Sequence, residues 1–313
     1  LQVKQETDIL AIIGNPPYFN GKSKSASKEI DEFTQDYKKD LNEKKINLDD
    51  LYIKFIRFAE WKINKSGSGV AGLITNNSFL DGVTHRQMRK HLLETFDEIY
   101  ILNLHGNTRK KEQDKNIFDI MVGVCITLFV KYPAGQRPKG NTAVYYYSTL
   151  INGLTTRPEK LHLLDTHTLT DLPWKRLNPF QTPFYWFTDK DLSLQNEYDK
   201  FWKITDIFGE YNSGIQSKND LICALYTDEK RKTIKDNFLN LSIEELIKKY
   251  DLKNGRDWQV AWAKEDLHKS PILATQINYR PFDIRYTNYT GKTKGIIAYP
   301  RYKTTQHFIG KEN

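Results

Sequence analysis

The stretch that decides the fold is ILAIIGNPPY, residues 9–18. Its five apolar residues, 9–13, predict a buried β-strand, and Gly14 ends that strand abruptly in a loop of residues 15–18. Two successive prolines, Pro16 and Pro17, restrict the backbone of the loop. In an open parallel sheet, ligands bind beyond the carboxyl ends of the strands. We therefore expect a functional site at this loop.

The segments that follow alternate between helix and strand. Apolar residues recur at helical spacing over Leu51–Ile63 and Thr84–Phe96, and continuous apolar or β-branched runs occupy Val70–Thr75, Glu98–Leu104 and Met121–Lys131. This order predicts an α/β fold with a parallel sheet. The last two strands follow each other without a helix, so we expect them to form an antiparallel hairpin on the edge of the sheet.

The character of the sequence changes after residue 135. Residues 136–205 show weak periodicity and many proline, threonine and aromatic residues, which predicts an irregular connector with short helices. Residues 206–313 begin with a helical stretch and end in a tyrosine- and turn-rich stretch typical of β structure. We therefore expect three regions, at 1–135, 136–205 and 206–313, of which the last is mixed α+β.

The composition narrows the partners and the compartment. Among 313 residues, 47 are Lys or Arg and 39 are Asp or Glu, a net charge of +8. This balance suits a polyanion such as nucleic acid, although a solvated lysine-rich surface has the same composition. Cys125 and Cys223 are too far apart to predict a disulfide or metal site. No apolar run is long enough for a membrane span, so a cytoplasmic protein is expected.

The loop of residues 15–18 carries the groups that activation of an amine requires. The amino group of adenine is a poor nucleophile because its lone pair is spread into the ring. The side-chain carbonyl of Asn15 and the backbone carbonyl of Pro16 can accept its two hydrogens. Tyr18 offers a flat face on which a base can stack, a contact worth about 1–3 kcal/mol. The alternative is a plain turn, since Asn-Pro commonly forms one.

At this point the sequence resembles a known family. Ile13–Tyr18 resembles the catalytic motif of amino-methyltransferases that use S-adenosylmethionine, in which the loop binds a flipped base. Leu51–Ile63, Gly69–Thr75 and Asn77–Leu80 are similar to the next motifs of that family, and Asn116–Asp119 is similar to its final motif. The resemblance implies the C-terminal half of a Rossmann-like methyltransferase sheet.

The resemblance also assigns roles to residues. It implies that the catalytic residues are Asn15, Pro16, Pro17 and Tyr18, and that Phe118 covers the face of the base opposite Tyr18. An ordinary core aromatic at a strand start is the alternative for Phe118. The implied cofactor is S-adenosylmethionine.

Three later segments resemble parts of the single-chain restriction-modification enzymes of Types ISP and IIG. They are Asn212–Asp220, Asn278–Arg285 and Tyr299–Tyr302. Those enzymes fuse nuclease, methyltransferase and target recognition. The resemblance implies a DNA adenine-N6 methyltransferase whose partners are double-stranded DNA and the upstream methyltransferase or nuclease portion of the same enzyme. Residues 1–135 would be its catalytic half, and residues 206–313 the beginning of its target-recognition region.

Eight basic residues are candidates for DNA contacts. They are Lys22, Lys24, Arg109, Lys110, Lys111, Arg280, Arg285 and Arg301. For the run at 109–111 a solvated loop is the competing interpretation. For Arg280 and Arg285 the alternative to a phosphate contact is an ion pair with a local acid such as Asp283.

One part of the family pattern has no counterpart in the sequence. The donor-binding motif of the family is a strand with a glycine-rich turn, upstream of the Asn-Pro-Pro-Tyr strand, whereas only fourteen residues precede Asn15. We therefore expect a central piece of a larger polypeptide, inactive alone, whose donor pocket lies mostly outside this sequence. Two alternatives stay open: a catalytically idle DNA-binding or specificity fragment, and a protein-glutamine or RNA amino-methyltransferase. The long basic extension argues against the latter.

Overall fold

The computed structural model describes residues 7–18, 32–43, 48–108 and 113–307. They fall into two units, divided between Leu192 and Ser193. The first unit is built on a six-stranded mixed sheet and the second on helices and a two-stranded antiparallel sheet. Within the described ranges, no helix is both long enough and apolar enough to cross a bilayer.

The first unit alternates strands and helices as expected. Its elements are β1 (Ala11–Gly14), α1 (Gln35–Lys38), α2 (Leu51–Ser66), β2 (Gly69–Asn76), α3 (Arg86–Thr95), β3 (Glu98–His105), β4 (Val124–Lys131), β5 (Ala143–Ser148), α4 (Arg157–Thr166) and β6 (Lys175–Leu177). Each helix and strand predicted between residues 9 and 131 is confirmed, with ends that agree within three residues.

The strands lie in the order β1-β2-β4-β3-β5-β6. β1 is parallel to β2, and β3 is parallel to β5. β4 lies between β2 and β3 and is antiparallel to both. β1, β2, β3 and β5 therefore run in the same direction and end on one side of the sheet, which we call the carboxyl edge.

Two expectations about this sheet were wrong. The β3–β4 hairpin exists but does not lie on the edge, because β4 is inserted between β2 and β3, and β3 pairs on its other side with β5. Residues 136–205, expected to be an irregular connector, supply β5 and β6. Three successive tyrosines, residues 145–147, lie in β5. Aromatic residues favour strands even where apolar and polar residues do not alternate. The sequence around β5 shows only weak periodicity, so this strand was not predicted.

The expected burial of β1 was also wrong. Ile13 is 91% exposed and Leu10 is 67% exposed. Among the described strands, β1 pairs only with β2, so it is an edge strand of this sheet. An apolar run predicts burial only where other elements cover it. Ile12 packs against the core, whereas no described element covers the face of β1 that carries Ile13.

Helices cover both faces of the sheet. On one face, Ile53 and Ile56 of α2 and Leu92 of α3 are buried with Ile99 and Phe129 of the sheet. On the other face, Leu163 of α4 packs with Leu102 and Tyr147. Neighbouring residues of a strand point to opposite faces, and β3 accordingly sends Ile101 to the first cluster and Leu102 to the second.

The second unit begins with short helices and ends in a hairpin. Its elements are α5 (Gln195–Tyr198), α6 (Ile204–Ile207), α7 (Asp220–Cys223), α8 (Asp228–Asn240), α9 (Ile243–Tyr250), α10 (Val260–Lys269), β7 (Leu273–Arg280), β8 (Asp283–Tyr289) and α11 (Tyr302–Thr305). Phe238, Leu246 and Val260, one from each of α8, α9 and α10, are fully buried in its core with Tyr289 of β8. The helices thus hold one end of the hairpin in the core.

The first prediction concerns His85, which is buried between β2 and α3. Burial, with a smaller effect of nearby Arg89, lowers its pKa from 6.5 to about 4. The folded protein therefore binds fewer protons than the unfolded chain, so this contribution to stability is present above pH 6.5 and lost as the pH falls from 6.5 to 4. We expect the free energy of unfolding to fall by about 2 kcal/mol from this group between about pH 7 and pH 5.

Urea denaturation at both pH values measures that fall. His85→Gln should reduce it, whereas His268→Gln, at an exposed position of α10, should not. An equal fall in the two variants would contradict the assignment to His85.

Candidate active site

Strand β1 delivers the loop of residues 15–18 to the carboxyl edge. Pro16 is buried, which anchors the loop, while Asn15 is exposed. The Asn15 side chain makes no hydrogen bond with any of the described residues. Its carboxamide is therefore available to a ligand at the end of β1.

Tyr18 and Phe118 meet beside this loop, although they are far apart in the sequence. Their ring centres lie 5.9 Å apart, with the ring planes inclined by 48°. Both side chains are half-buried. The Tyr18 hydroxyl is buried and has no hydrogen-bond partner within the described part of the chain. Burial, with a smaller effect of Cys125, raises the pKa of Tyr18 to about 12, so the hydroxyl is protonated at neutral pH.

Asn116 fixes the loop that carries Phe118. Its side-chain nitrogen donates to the carbonyl of Gly106 at 3.0 Å and to that of Val122 at 2.7 Å. Its side-chain oxygen accepts from the backbone N–H of Phe118 at 2.9 Å. One side chain thus ties the residue after β3 to the residues before β4 and orients Phe118 between them.

A buried ion pair supports the same loop. The Lys160 ammonium lies 2.5 Å from an Asp114 carboxylate oxygen, and the two side chains are 0% and 1% exposed. Lys160 also donates to the carbonyl of Lys115 at 2.7 Å, and Asp114 accepts from the backbone N–H of Gly106 at 2.5 Å. Helix α4 therefore anchors the loop through Lys160, a contact that the sequence did not predict.

A polar network connects the ends of three strands at the carboxyl edge. Asn77 donates to Asn103 at 3.0 Å, and Asn103 donates to the Tyr146 hydroxyl at 3.1 Å. Next to it, a ring nitrogen of His105 lies 2.7 Å from the Ser148 hydroxyl. Sequence reasoning missed this network. Its signal was present, because Asn77, Asn103 and Ser148 each lie at or near the end of a strand that reaches this edge.

Gly123 leaves room for this network. Its backbone carbonyl accepts from the N–H of Asn77 at 3.0 Å. A Cβ atom at position 123 would lie 2.6 Å from the side-chain nitrogen and oxygen of Asn77. Asn77 can therefore reach Asn103 only because residue 123 has no side chain.

Of the eight basic residues predicted to contact DNA, five lie outside the described residues. They are Lys22, Lys24, Arg109, Lys110 and Lys111. The other three lie in the second unit. Arg280 is exposed and makes no ion pair with a described residue, and its guanidinium lies 5.1 Å from the Tyr279 ring centre. Arg301 donates to the Ser213 hydroxyl at 2.8 Å.

Arg285 is held by its neighbours. Its Nε and a terminal nitrogen donate to the two oxygens of Asp283, the second at 2.8 Å. These hydrogen bonds raise the pKa of Arg285 above its ordinary value. The guanidinium also lies 3.4 Å from the Tyr226 ring centre. The geometry fits the ion-pair interpretation of Arg285, and it leaves Arg280 as the better donor to an external anion.

Comparison with known protein families gives two matches, one within each unit. Residues 3–109 match the family of Eco57I restriction-modification methylases, and residues 206–313 match the Type ISP C-terminal specificity domain. The chain thus contains one segment that is similar to a restriction-modification methylase and one that is similar to a Type ISP C-terminal specificity domain. No curated protein matches the chain.

Solved structures share the fold. A DrdV–DNA complex is 21% identical with a TM-score of 0.64, and the match covers 97% of this chain and 33% of that one. A nuclease-deletion mutant of the Type ISP restriction-modification enzyme LlaGI, in complex with a DNA substrate mimic, is 23% identical with a TM-score of 0.61, covering 91% and 30%. The ATP-dependent Type ISP restriction-modification enzyme LlaBIII bound to DNA is 24% identical with a TM-score of 0.60, covering 91% and 20%. The chain thus spans a third or less of each.

A methylase needs a methyl donor as well as an acceptor site. In the described part of the first unit, none of the strands that end at the carboxyl edge runs into a G-x-G turn. Such a turn lets the backbone approach a nucleotide-like ligand closely. The described strand ends at the carboxyl edge therefore offer no turn of this kind.

The second prediction concerns Lys160→Met. The change leaves the buried Asp114 carboxylate without its cation, so the free energy of unfolding should fall by about 3–5 kcal/mol. Lys175→Met is the matched control, because the Lys175–Asp189 pair is 2.6 Å long but its lysine is 61% exposed. Exposed pairs contribute about 0–1 kcal/mol. Chemical denaturation measures both, and equal small losses would show that the buried pair does not anchor the loop.

Proposed function

We propose that this chain provides the catalytic half of a DNA adenine-N6 methyltransferase, together with the beginning of its target-recognition region, in a restriction-modification enzyme. The observation that carries the proposal is the contact of the Tyr18 and Phe118 rings, 5.9 Å apart, beside the exposed side chain of Asn15. An amide carbonyl and two aromatic faces are the groups that an extruded adenine requires. The matches to a restriction-modification methylase and a specificity domain support the choice of DNA as substrate.

In this proposal the first unit is the C-terminal half of a Rossmann-like methyltransferase sheet. The common direction of β1, β2, β3 and β5 supports it, because such sheets bind their ligands at the carboxyl ends of the strands. Residues 1–135 are the catalytic half, and residues 206–313 are the start of target recognition. Residues 136–205, expected to be a connector, also contribute β5 to the sheet, and Ser148 and Tyr146 of β5 take part in the polar network.

The reaction begins with activation of the adenine amine. The Asn15 carboxamide oxygen accepts one amine hydrogen and the Pro16 backbone carbonyl accepts the other. These hydrogen bonds draw the lone pair out of the ring and localise it on nitrogen, which makes the amine nucleophilic. S-adenosylmethionine supplies the electrophilic methyl group and is held mostly by a part of the enzyme outside the described residues.

Tyr18 and Phe118 hold the extruded base by its two faces. Extrusion costs a few kcal/mol of lost stacking and pairing, and stacking on each aromatic returns about 1–3 kcal/mol. In the structure the rings touch at an angle of 48°. A base about 3.4 Å thick, stacked on both sides, needs parallel rings about 7 Å apart. Binding therefore requires the two rings to move apart by about 1 Å and to rotate.

Phosphate contacts by basic side chains complete the proposal. Five further basic residues, which lie outside the described part of the chain, are proposed to bind phosphates of the DNA: Lys22, Lys24, Arg109, Lys110 and Lys111. In the second unit, Arg280 and Arg301 bind phosphates directly. Arg285 is paired with Asp283 and positions the hairpin that carries Arg280. The DNA complexes named above support a DNA partner for this fold.

The third prediction tests Asn15 in the complete enzyme. Asn15→Ala removes an acceptor for the reacting amine, so we expect methyl transfer to fall by at least about 100-fold. DNA affinity should change little, because phosphate contacts dominate it. The control is Asn141→Ala, an exposed asparagine before β5, on the side of the sheet opposite the carboxyl edge. Transfer of labelled methyl groups and DNA titration report the two quantities.

An Asn15→Ala enzyme with normal transfer would refute the catalytic role. A parallel loss of DNA affinity and transfer would point to a structural role instead.

The fourth prediction tests the two aromatic residues. Tyr18→Ala and Phe118→Ala should each reduce the fraction of extruded base, because each removes one stacking face worth about 1–3 kcal/mol. A fluorescent adenine analogue at the target position measures that fraction, since unstacking raises its emission. Tyr18→Phe keeps the ring and should retain extrusion. Phe55→Ala, at an exposed position of α2, is the control, and an effect equal to that of Phe118→Ala would contradict the stacking role.

A further inference from the structure

The β7–β8 hairpin ends in an exposed phenylalanine. Arg280 pairs with Asp283, so its loop has only two residues, Pro281 and Phe282. Phe282 is 108% exposed, so its ring contacts essentially nothing in the described part of the chain. Ile284, two residues later, is 56% exposed. The tip of the hairpin is thus apolar and unprotected.

Phe282 is also strained. Its φ of +65° lies in the left-handed region. In a tight turn that begins with proline, the next position commonly requires a positive φ and is normally glycine. A bulky side chain there is an outlier. Strain of this kind persists only where the surroundings enforce it, and it clusters at functional sites. Among the described residues, Phe282 makes no packing contact that would account for this strain.

The base of the hairpin is held rigidly. Asp283 binds the Arg285 guanidinium, which lies 3.4 Å from the Tyr226 ring centre. The register shifts between Asn278 and Arg280, and the Tyr279 hydroxyl donates to Asp220 of α7 at 2.7 Å. A bulge of this kind re-aims the strand that carries it. These contacts fix the direction in which the tip projects.

The cavity beside the tip is lined by more basic than acidic side chains. It has a volume of about 1230 Å³, and its lining includes Lys218, Lys230 and Arg280, together with Arg285, which is paired with Asp283. Among the described residues of that lining, Asp220 is the one acidic side chain, and it already accepts hydrogen bonds from Tyr279 and Ser217. An apolar tip beside such a surface suits a polyanion with stacked apolar layers inside it, which is the structure of duplex DNA.

We propose that Phe282 is a wedge that inserts between two stacked base pairs of duplex DNA, while Arg280 and the adjoining lysines bind the flanking phosphates. The inference rests on the proposed function, in which the second unit contacts DNA. An inserted apolar side chain partly unstacks one base step and bends the duplex. The strained turn and its rigid base present the ring before DNA arrives.

The first experiment separates stability from binding. Phe282→Gly places the residue that the turn prefers at this position, so the thermal midpoint of the full chain should rise or stay unchanged. Its affinity for duplex DNA should nevertheless fall about tenfold. Phe282→Leu keeps an apolar wedge and should retain most of the affinity. Leu273→Ala is the control, because this exposed residue of the same hairpin lies at the end opposite the tip.

The second experiment tests insertion itself. A mismatched base pair is already partly unstacked, so the wild-type chain should bind mismatched duplex DNA more tightly than matched DNA. The Phe282→Gly chain should lose that preference. 2-Aminopurine placed along the duplex should brighten at one step with the wild-type chain only.

Other outcomes are equally distinct. If the wild-type chain does not bind DNA, the proposed function and the wedge both fail. If it binds DNA but Phe282→Gly has the same affinity, the same mismatch preference and the same 2-aminopurine signal, only the wedge is overturned. That result would assign the exposed ring to a protein contact.

Discussion

The buried ion pair between Lys160 and Asp114 is the interaction on which the candidate active site depends. Two charges have been removed from water, and neither can be stable there without the other. Their pairing joins α4 to the loop between β3 and β4, and Asn116 passes that constraint to the backbone of Phe118. The aromatic contact with Tyr18 therefore depends on a lysine that is distant from both rings in the sequence.

The direction of the strands supplies the second constraint. Since β1, β2, β3 and β5 end on one side, a short polar residue at the end of each strand lies on the carboxyl edge. Asn15 lies at the end of β1, Asn77 just after β2 and Asn103 near the end of β3. The available carboxamide of Asn15 contrasts with those of Asn77 and Asn103, which are bonded to their neighbours. The structure thus separates a residue available to a ligand from residues that position the strands.

The sequence was informative where a local pattern decides the structure. The apolar run before Asn15 and the helical spacing from Leu51 were sufficient to predict β1 and α2, because periodicity and turn chemistry act over a few residues. The sequence was uninformative where the interacting residues are far apart along the chain. Nothing near β4 specifies that it pairs with both β2 and β3, and nothing near Lys160 specifies Asp114. The strained φ of Phe282 likewise follows from the pairing of Arg280 with Asp283, which only the folded hairpin defines.

Gly123 has a consequence for how this protein can vary. Its backbone does not need the left-handed conformation, so its requirement is space alone. A single added carbon would displace the Asn77 carboxamide, and with it the hydrogen bonds that run through Asn103 to Tyr146. A change at position 123, just before β4, would therefore disturb β2, β3 and β5 where they reach the carboxyl edge. The tolerance of the carboxyl edge to mutation at position 123 is therefore set by the volume of one methyl group, although residue 123 has no side chain that could bind or react with a ligand.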